Sequence, residues 1–221
     1  MYDEFERRLP GVRLAQSYSL TEGGVVGTTL DHDDARGRER SVGRANPLTE
    51  VKVAGSDGDP RAPGEIGEVW LRSPGVGGHY WNRPEATAET FVDGWCRTGD
   101  LGWMDADGFL TLTGRAKDMI RSGGENVSPA EVEKVIALCP DVGAVAVIGV
   151  PDTRYVEVGC AVLEPRGDEP INLDEVRRLC RERLAGFKVP RHYVVVDRIP
   201  RNASGKIRKS VLRETYRSLA E

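Results

Sequence analysis

The chain has 221 residues, 39% of them hydrophobic, with 31 basic and 35 acidic side chains and a formal charge of −4. That composition excludes intrinsic disorder, and the length suits one large domain or two ordinary ones. The longest run without polar side chains, residues 142–150, is about half a membrane span, and residues 1–9 lack the apolar core of a secretory leader, so the expected location is cytoplasmic.

In chain order, residues 1–116 offer only short strand-like segments: 12–18, 50–53, 68–71 and 109–112. Turn clusters at residues 55–60, 62–64 and 105–108 separate them, which predicts small, irregular β-structure with long loops. This half reads as an incomplete domain, because no earlier segment is available to pair with residues 12–18. Residues 117–221 are more regular. Ser128 and Pro129 predict an N-cap and a first-turn proline, Glu131 stands at the capping-box position, and Val132, Val135 and Ile136 follow at helical spacing. Residues 142–150 and 156–163 read as buried strands. Asn172 or Asp174 can cap a second helix with Val176, Leu179, Cys180 and Leu184 on one face. Residues 192–196 form a third strand, and a terminal helix carries Val211, Leu212, Tyr216 and Leu219. The expected fold class is α/β and α+β: a β-rich segment, 1–116, followed by a complete small α+β domain, 117–221.

Charge follows the same division. Residues 1–116 hold 13 basic and 19 acidic side chains, residues 117–221 hold 18 and 16, and residues 206–221 hold five and two. Few aromatics and no Lys/Arg block argue against a nucleic-acid surface; a polyanionic small molecule remains a candidate partner. Cys96, Cys139, Cys160 and Cys180 form no C-x-x-C pair, and His32, His79 and His192 are equally scattered, so zinc and redox motifs fail on spacing. Buried free thiols are expected.

Four segments carry chemistry-bearing residues. In Gln16-Ser17-Tyr18-Ser19-Leu20-Thr21-Glu22-Gly23-Gly24, a strand ends in a hydroxyl, a carboxylate and bare backbone; Thr can donate to a phosphate oxygen and Glu can hold Mg²⁺. In Trp95-Cys96-Arg97-Thr98-Gly99-Asp100, an Asp beside glycine suits a bidentate grip on neighbouring hydroxyls. In Gly114-Arg115-Ala116-Lys117-Asp118, continuing to Gly123-Gly124, Arg115 offers a planar fork and the glycine pair a tight turn or close approach. In Pro200-Arg201-Asn202-Ala203-Ser204-Gly205-Lys206, a loop delivers one lysine ahead of a helix, without the spacing of a Walker-type loop. Each alone has an ordinary counterpart: a strand-to-turn junction, a turn aspartate, a solvated linker, an exposed lysine.

In this order and at these separations, the four segments resemble the adenylate-forming (AMP-binding) superfamily of acyl-CoA synthetases, peptide-synthetase adenylation domains and luciferases. The resemblance runs from about Gln16 to Glu214 and covers the C-terminal portion of such enzymes: the end of the large domain, 1–116, and the small C-terminal domain, 117–221. It implies that Tyr18 packs beside the adenine, Thr21 contacts the α-phosphate and Glu22 ligates Mg²⁺. Ser19 stands where glycine is common, leaving the backbone less free near the nucleotide. The resemblance further implies ribose contacts from Asp100 and Arg115, a hinge at Lys117, a turn lining the coenzyme A path at Gly123 and Gly124, and the catalytic lysine of adenylate formation at Lys206. ATP, Mg²⁺, coenzyme A and a carboxylic acid are the implied cofactors and substrates. The segments after the hinge (Ile120-Arg121-Ser122-Gly123-Gly124-Glu125-Asn126-Val127-Ser128-Pro129) and at Leu184-Ala185-Gly186-Phe187-Lys188-Val189-Pro190 resemble fatty-acyl and aryl-CoA ligases more than carrier-protein-loading domains. The family's loop for the β- and γ-phosphates has no match here, so the expected partner is an N-terminal portion of the same enzyme, in cis or in trans. A non-catalytic module that kept the fold is the alternative from another class.

Overall fold

The computed structural model describes residues 2–24 and 27–219, and the chain divides into two compact units, Met1–Ala116 and Lys117–Glu221.

The first unit opens with helix α1 (Tyr2–Arg8) and a small antiparallel sheet of β1 (Gln16–Tyr18), β2 (Thr28–Leu30) and β3 (Arg44–Ala45). The expected strand at 12–18 is therefore shorter, and it has a partner after all: Tyr18 lies opposite Thr28, a segment that follows it in the chain. A larger sheet contains β4 (Glu50–Ala54), β5 (Gly67–Arg72), β6 (Phe91–Val92), β7 (Trp95–Met104) and β8 (Leu110–Arg115), with helix α2 (Pro84–Thr90) running directly into β6. β5 pairs with one edge of β7, while β6 and β8 share the other edge, one at each end. Val42, Val53, Val69, Leu71 and Leu110 form one buried cluster, with Tyr18 and Leu20 packed against it; Leu30, Ala35 and Phe109 form a second.

The second unit is built on a sheet with strand order β10-β9-β12-β11, from β9 (Ile120–Ser122), β10 (Glu125–Val127), β11 (Val142–Asp152) and β12 (Val156–Pro165); β13 (His192–Val195) lies parallel to β12. Helices α3 (Pro129–Ile136) and α4 (Leu173–Arg183) cover one face, and α5 (Lys209–Thr215) contributes Leu212 to the other. Side chains alternate between the two faces along β11 and β12: Val147, Ala161 and Leu163 face α3 and α4, whereas Ala146, Ile148, Val150, Cys160 and Val162 face the side of Leu212. A strand covered on both faces needs apolar residues at every position, which explains the uninterrupted run at 142–150.

Two local expectations need correction. Ser128 occupies the N-cap of α3, but its side chain makes no capping hydrogen bond, and the Glu131 carboxylate turns away to accept from Lys188 Nζ at 2.8 Å. The ion pair with a residue 57 positions later replaces the capping box. The terminal helix ends at Thr215, with Tyr216 as its C-cap, although Tyr216 and Leu219 still pack on the core. The cap of α4 is Asn172, whose side chain accepts from the amides of Asp174 and Glu175. All four cysteines are free and buried.

Candidate functional site

The densest arrangement of sequence-predicted residues lies in the first unit, at a break in β7. Glu68 pairs with Leu101 and Trp70 with Arg97, so residues 98–100 of β7 stand opposite the single residue Val69. Such a bulge leaves amides without ladder partners and re-aims side chains out of the sheet. Gly99 takes the left-handed conformation this needs, with φ +70°. Two side chains supply the missing acceptors. Gly99 N donates to Glu68 Oε1 at 3.1 Å, and Asp100 N donates to Thr98 Oγ1 at 3.0 Å, while that hydroxyl donates to Val69 O at 2.7 Å.

The bulge delivers Asp100 between two donors. On its other edge β7 places Asp100 directly opposite Arg115 of β8, whose Nε donates to Asp100 Oδ1 at 2.8 Å. From β1, Tyr18 Oη donates to Asp100 Oδ2 at 2.7 Å. Burial, reinforced by the adjacent carboxylate, raises the Tyr18 phenol above its ordinary range, so it stays protonated and serves as donor. Asp100 is half-buried and Arg115 is exposed along one side. Tyr18, Asp100 and Arg115 are thus brought into direct contact across 82 and 15 residues of sequence.

Three residues beyond Tyr18, Thr21 opens a short 3₁₀ turn that also holds Glu22 and Gly23. Glu22 is fixed twice: its carbonyl accepts from Gly77 N at 3.0 Å, and its Oε1 accepts from Tyr80 Oη at 2.8 Å. Tyr80 is itself braced by the Phe91 ring, 5.5 Å away between centroids, and by a bond from its amide to Thr87 Oγ1. Burial first, and then the Glu22 carboxylate, push the Tyr80 phenol upward, so it too remains a donor. Among the described residues no three His, Cys, Asp or Glu side chains form a metal cage. A lone carboxylate whose second oxygen has no partner among the described residues does fit Mg²⁺, which usually binds one or two carboxylates together with substrate phosphates.

The remaining predicted residues fall at the boundary or in the second unit. Lys117 is exposed and is the first residue of that unit. Gly123 and Gly124 form the two-residue turn of the β9–β10 hairpin, with φ +59° and +89°. A side chain at Gly123 would start 2.9 Å from the Tyr155 ring, so the turn needs glycine for space as well as conformation. It borders a cleft of about 320 Å³ lined also by Glu125, Tyr155, Phe187 and Arg191. Arg191 and Arg154 both lie over the Tyr155 ring, at 4.1 and 5.1 Å from its centroid. Lys206 sits on a separate turn, bracketed by the side chain of Asn202, whose Oδ1 accepts from Ser204 N, Ser204 Oγ and Lys206 N. The lysine is exposed and, among the described residues, its ammonium has no ion-pair partner.

Sequence reasoning passed over Glu68, Thr98, Tyr80 and Tyr155. Nothing local marks them, since each acts on a residue distant in the chain or, for Thr98, through a bulge that only strand pairing reveals.

The "AMP-binding enzyme" family matches residues 1–81, and the "AMP-binding enzyme C-terminal domain" family matches residues 131–206. The chain belongs to the AMP-binding enzymes. Within that superfamily it is 46% identical over 205 residues to the long-chain-fatty-acid–CoA ligase FadD13 of Mycobacterium tuberculosis, covering 93% of this chain and 40% of that ligase. It is 44% identical over 206 residues to feruloyl-CoA synthase of an Amycolatopsis species, covering 93% and 42%. Among solved structures it superposes on the o-succinylbenzoate CoA synthetase MenE of Bacillus subtilis, in complex with its acyl-adenylate intermediate, with TM-score 0.87 and 36% identity over 100% of this chain and 43% of that one. ATP-bound MatB of Rhodopseudomonas palustris gives 0.84 and 35%, over 94% and 41%. The chain therefore spans about 40% of the length of the ligases it matches. No helix among the described residues is long and apolar enough to cross a membrane.

Proposed function

We propose that this chain is the C-terminal portion of a cytoplasmic, ATP-dependent acyl-CoA ligase for fatty or aryl acids, working through an acyl-adenylate together with an N-terminal portion of the same enzyme. The observation that carries the reading is the Tyr18–Asp100–Arg115 constellation in a chain so similar to CoA ligases. In this reading Asp100 accepts from the two ribose hydroxyls of the nucleotide, Arg115 adds a second ribose contact, Tyr18 flanks the adenine and Thr21 donates to the α-phosphate. Glu22, held by Tyr80, ligates Mg²⁺, which supplies charge neutralisation at the phosphates. The substrate carboxylate attacks the α-phosphorus, pyrophosphate leaves, and the acyl-adenylate remains; Lys206 holds the reacting oxygens through this step. Lys117 is then the hinge about which the 117–221 domain reorients, bringing Gly123 and Gly124 to the ligand. The thiol of coenzyme A attacks the acyl carbon and AMP departs. The cleft beside Gly123 supports this second step, because its lining residues Tyr155, Phe187 and Arg191 offer aromatic surface and a cation to a polyanionic, adenine-bearing thiol.

ATP–pyrophosphate exchange with a panel of fatty and aromatic acids tests the reading. The expected result is exchange when the N-terminal part of a homologous ligase is supplied, falling about 100-fold or more in Lys206→Ala. Silence with and without the complement would overturn it and leave the non-catalytic module.

A further inference from the structure

We propose that Glu68 is a positioning residue for the nucleotide site, acting through Gly99 on Asp100; the inference rests on the assignment of Asp100 to the ribose.

Glu68 lies on β5, one strand away from the constellation, and its side chain is only 17% exposed. Its two oxygens have different tasks. Oε2 accepts from Trp70 Nε1 at 3.1 Å and from Nε and Nη2 of Arg97 at 3.1 and 2.9 Å. Oε1 accepts from Gly99 N at 3.1 Å. The Arg97 fork and the indole thus occupy one oxygen, while the other is left aimed at the bulge.

That aim matters because the bulge cannot hold itself. Residues 98–100 have left the β5–β7 ladder, and Gly99 is the most permissive residue available at the point of deviation. Asp100 N is secured locally by Thr98 Oγ1, but Gly99 N reaches outside the bulge for its acceptor and finds Glu68. Without that acceptor, the amide of a left-handed glycine is released immediately before the carboxylate that must meet two hydroxyls at once. A small rotation there moves both Asp100 oxygens, and a two-point contact tolerates little displacement. Glu68 touches neither the ribose nor Asp100; its effect passes through one backbone bond.

The Arg97 ion pair offers a competing explanation, in which Glu68 merely stabilises the sheet. Two near-isosteric variants separate the roles. Glu68→Gln has one carbonyl oxygen, which cannot serve Arg97 and Gly99 N together, so the amide group facing the other donor is unmatched. Arg97→Gln removes the same ion pair but leaves the Glu68 carboxylate free to accept from Gly99 N.

The experiment measures binding of AMP and of 2′,3′-dideoxy-AMP to the 221-residue chain by calorimetry, with Asp100→Ala as reference, and hydrogen exchange of the Gly99 amide by NMR. The wild-type chain is expected to prefer AMP, and Asp100→Ala to lose that preference. Glu68→Gln should reduce the AMP-to-dideoxy ratio about tenfold with little change in dideoxy binding, and should accelerate Gly99 exchange; Arg97→Gln should leave both near wild type. Preference lost in Asp100→Ala but retained in Glu68→Gln would overturn the role of Glu68 while the ribose assignment stands. Equal loss in Arg97→Gln would return Glu68 to the ion pair alone. A wild-type chain indifferent to the ribose hydroxyls would remove the ribose assignment and this inference with it, whereas unchanged Gly99 exchange in Glu68→Gln would overturn the anchoring step directly.

Discussion

Asp100 has already accepted one hydrogen bond on each oxygen, and a carboxylate offers about four lone-pair sites, so two remain to meet a vicinal diol. Tyr18 and Arg115 thus fix its orientation without exhausting it. Burial has a different consequence for the cysteines. It pushes the thiols of Cys96 and Cys160 up to about 11, in Cys96 with help from the Glu22 and Glu68 carboxylates. A folded-state pKa above the unfolded value means that the native chain holds its proton longer. The stabilisation is complete below the unfolded thiol pKa, near 9, and is lost as pH rises towards 11. Cys160, fully buried against Ile148 and Val162, isolates the effect. The margin in Tm by which the native chain exceeds Cys160→Ala should shrink steadily between pH 8.5 and about 10.5. A margin constant over that range would show that the thiol titrates alike in both states.

Among the elements, the connection between the two sheets of the first unit turns on one glycine. Gly43 has φ +92°, and a Cβ there would start 1.9 Å from the carbonyl carbon and oxygen of Thr29 on β2. It lies there because Val42 N and Gly43 O bond the backbone of Leu110, drawing the segment against β8 while β2 passes behind it. Gly37, with φ +77° and nothing within 4 Å of its would-be Cβ, is the natural control. Gly37→Ala should cost about 1 kcal/mol of unfolding free energy from backbone strain alone. Gly43→Ala should cost several-fold more, read from the denaturant midpoint of the first unit, because backbone cannot yield as a side chain tip can. Equal midpoints would mean that the two strands separate freely. The same physics separates what was readable in the sequence from what was not. β11 and β12 were readable because burial on both faces writes itself as a continuous apolar run, and α4 because Asn172 and the spacing of Val176 and Cys180 are local signals. The β7 bulge was not, since Thr98-Gly99-Asp100 looks like a turn until Val69 is known to stand opposite. Helix α2 and the β9–β10 hairpin are too short for periodicity and are held by tertiary contacts. Glu131 matched the capping pattern, yet a lysine 57 residues away gained it. In the first unit, Tyr18, Asp100 and Arg115 were legible as candidates and meet in the fold, whereas the groups around them were not: Glu68 reaches Gly99 from another strand, Tyr80 reaches Glu22 across 58 residues, and Thr98 acts through the bulge.

At the scale of the whole chain, the decisive feature is that each unit encloses apolar clusters of its own. The second unit covers both faces of its sheet, with the cluster around Ile136, Val147 and Leu163 on one side and that around Ile148, Val162 and Leu212 on the other. The Arg213–Asp118 pair, at 2.6 Å, ties its terminal helix back to its first residues. All of its strands find partners within residues 117–221, so cutting the chain at residue 117 removes no ladder bond from this sheet. Lys117 is exposed and follows directly on the first unit. Under native conditions, trypsin is therefore expected to cut near Lys117 and leave a resistant fragment of residues 118–221, identified by mass, that unfolds cooperatively on heating. The first unit, with smaller clusters and a three-stranded sheet of very short strands, should be degraded sooner. Loss of both halves at the same rate, with no C-terminal fragment accumulating, would show that residues 117–221 depend on the first unit for their fold, and the hinge assigned to Lys117 would lose the independent domain that it is proposed to carry.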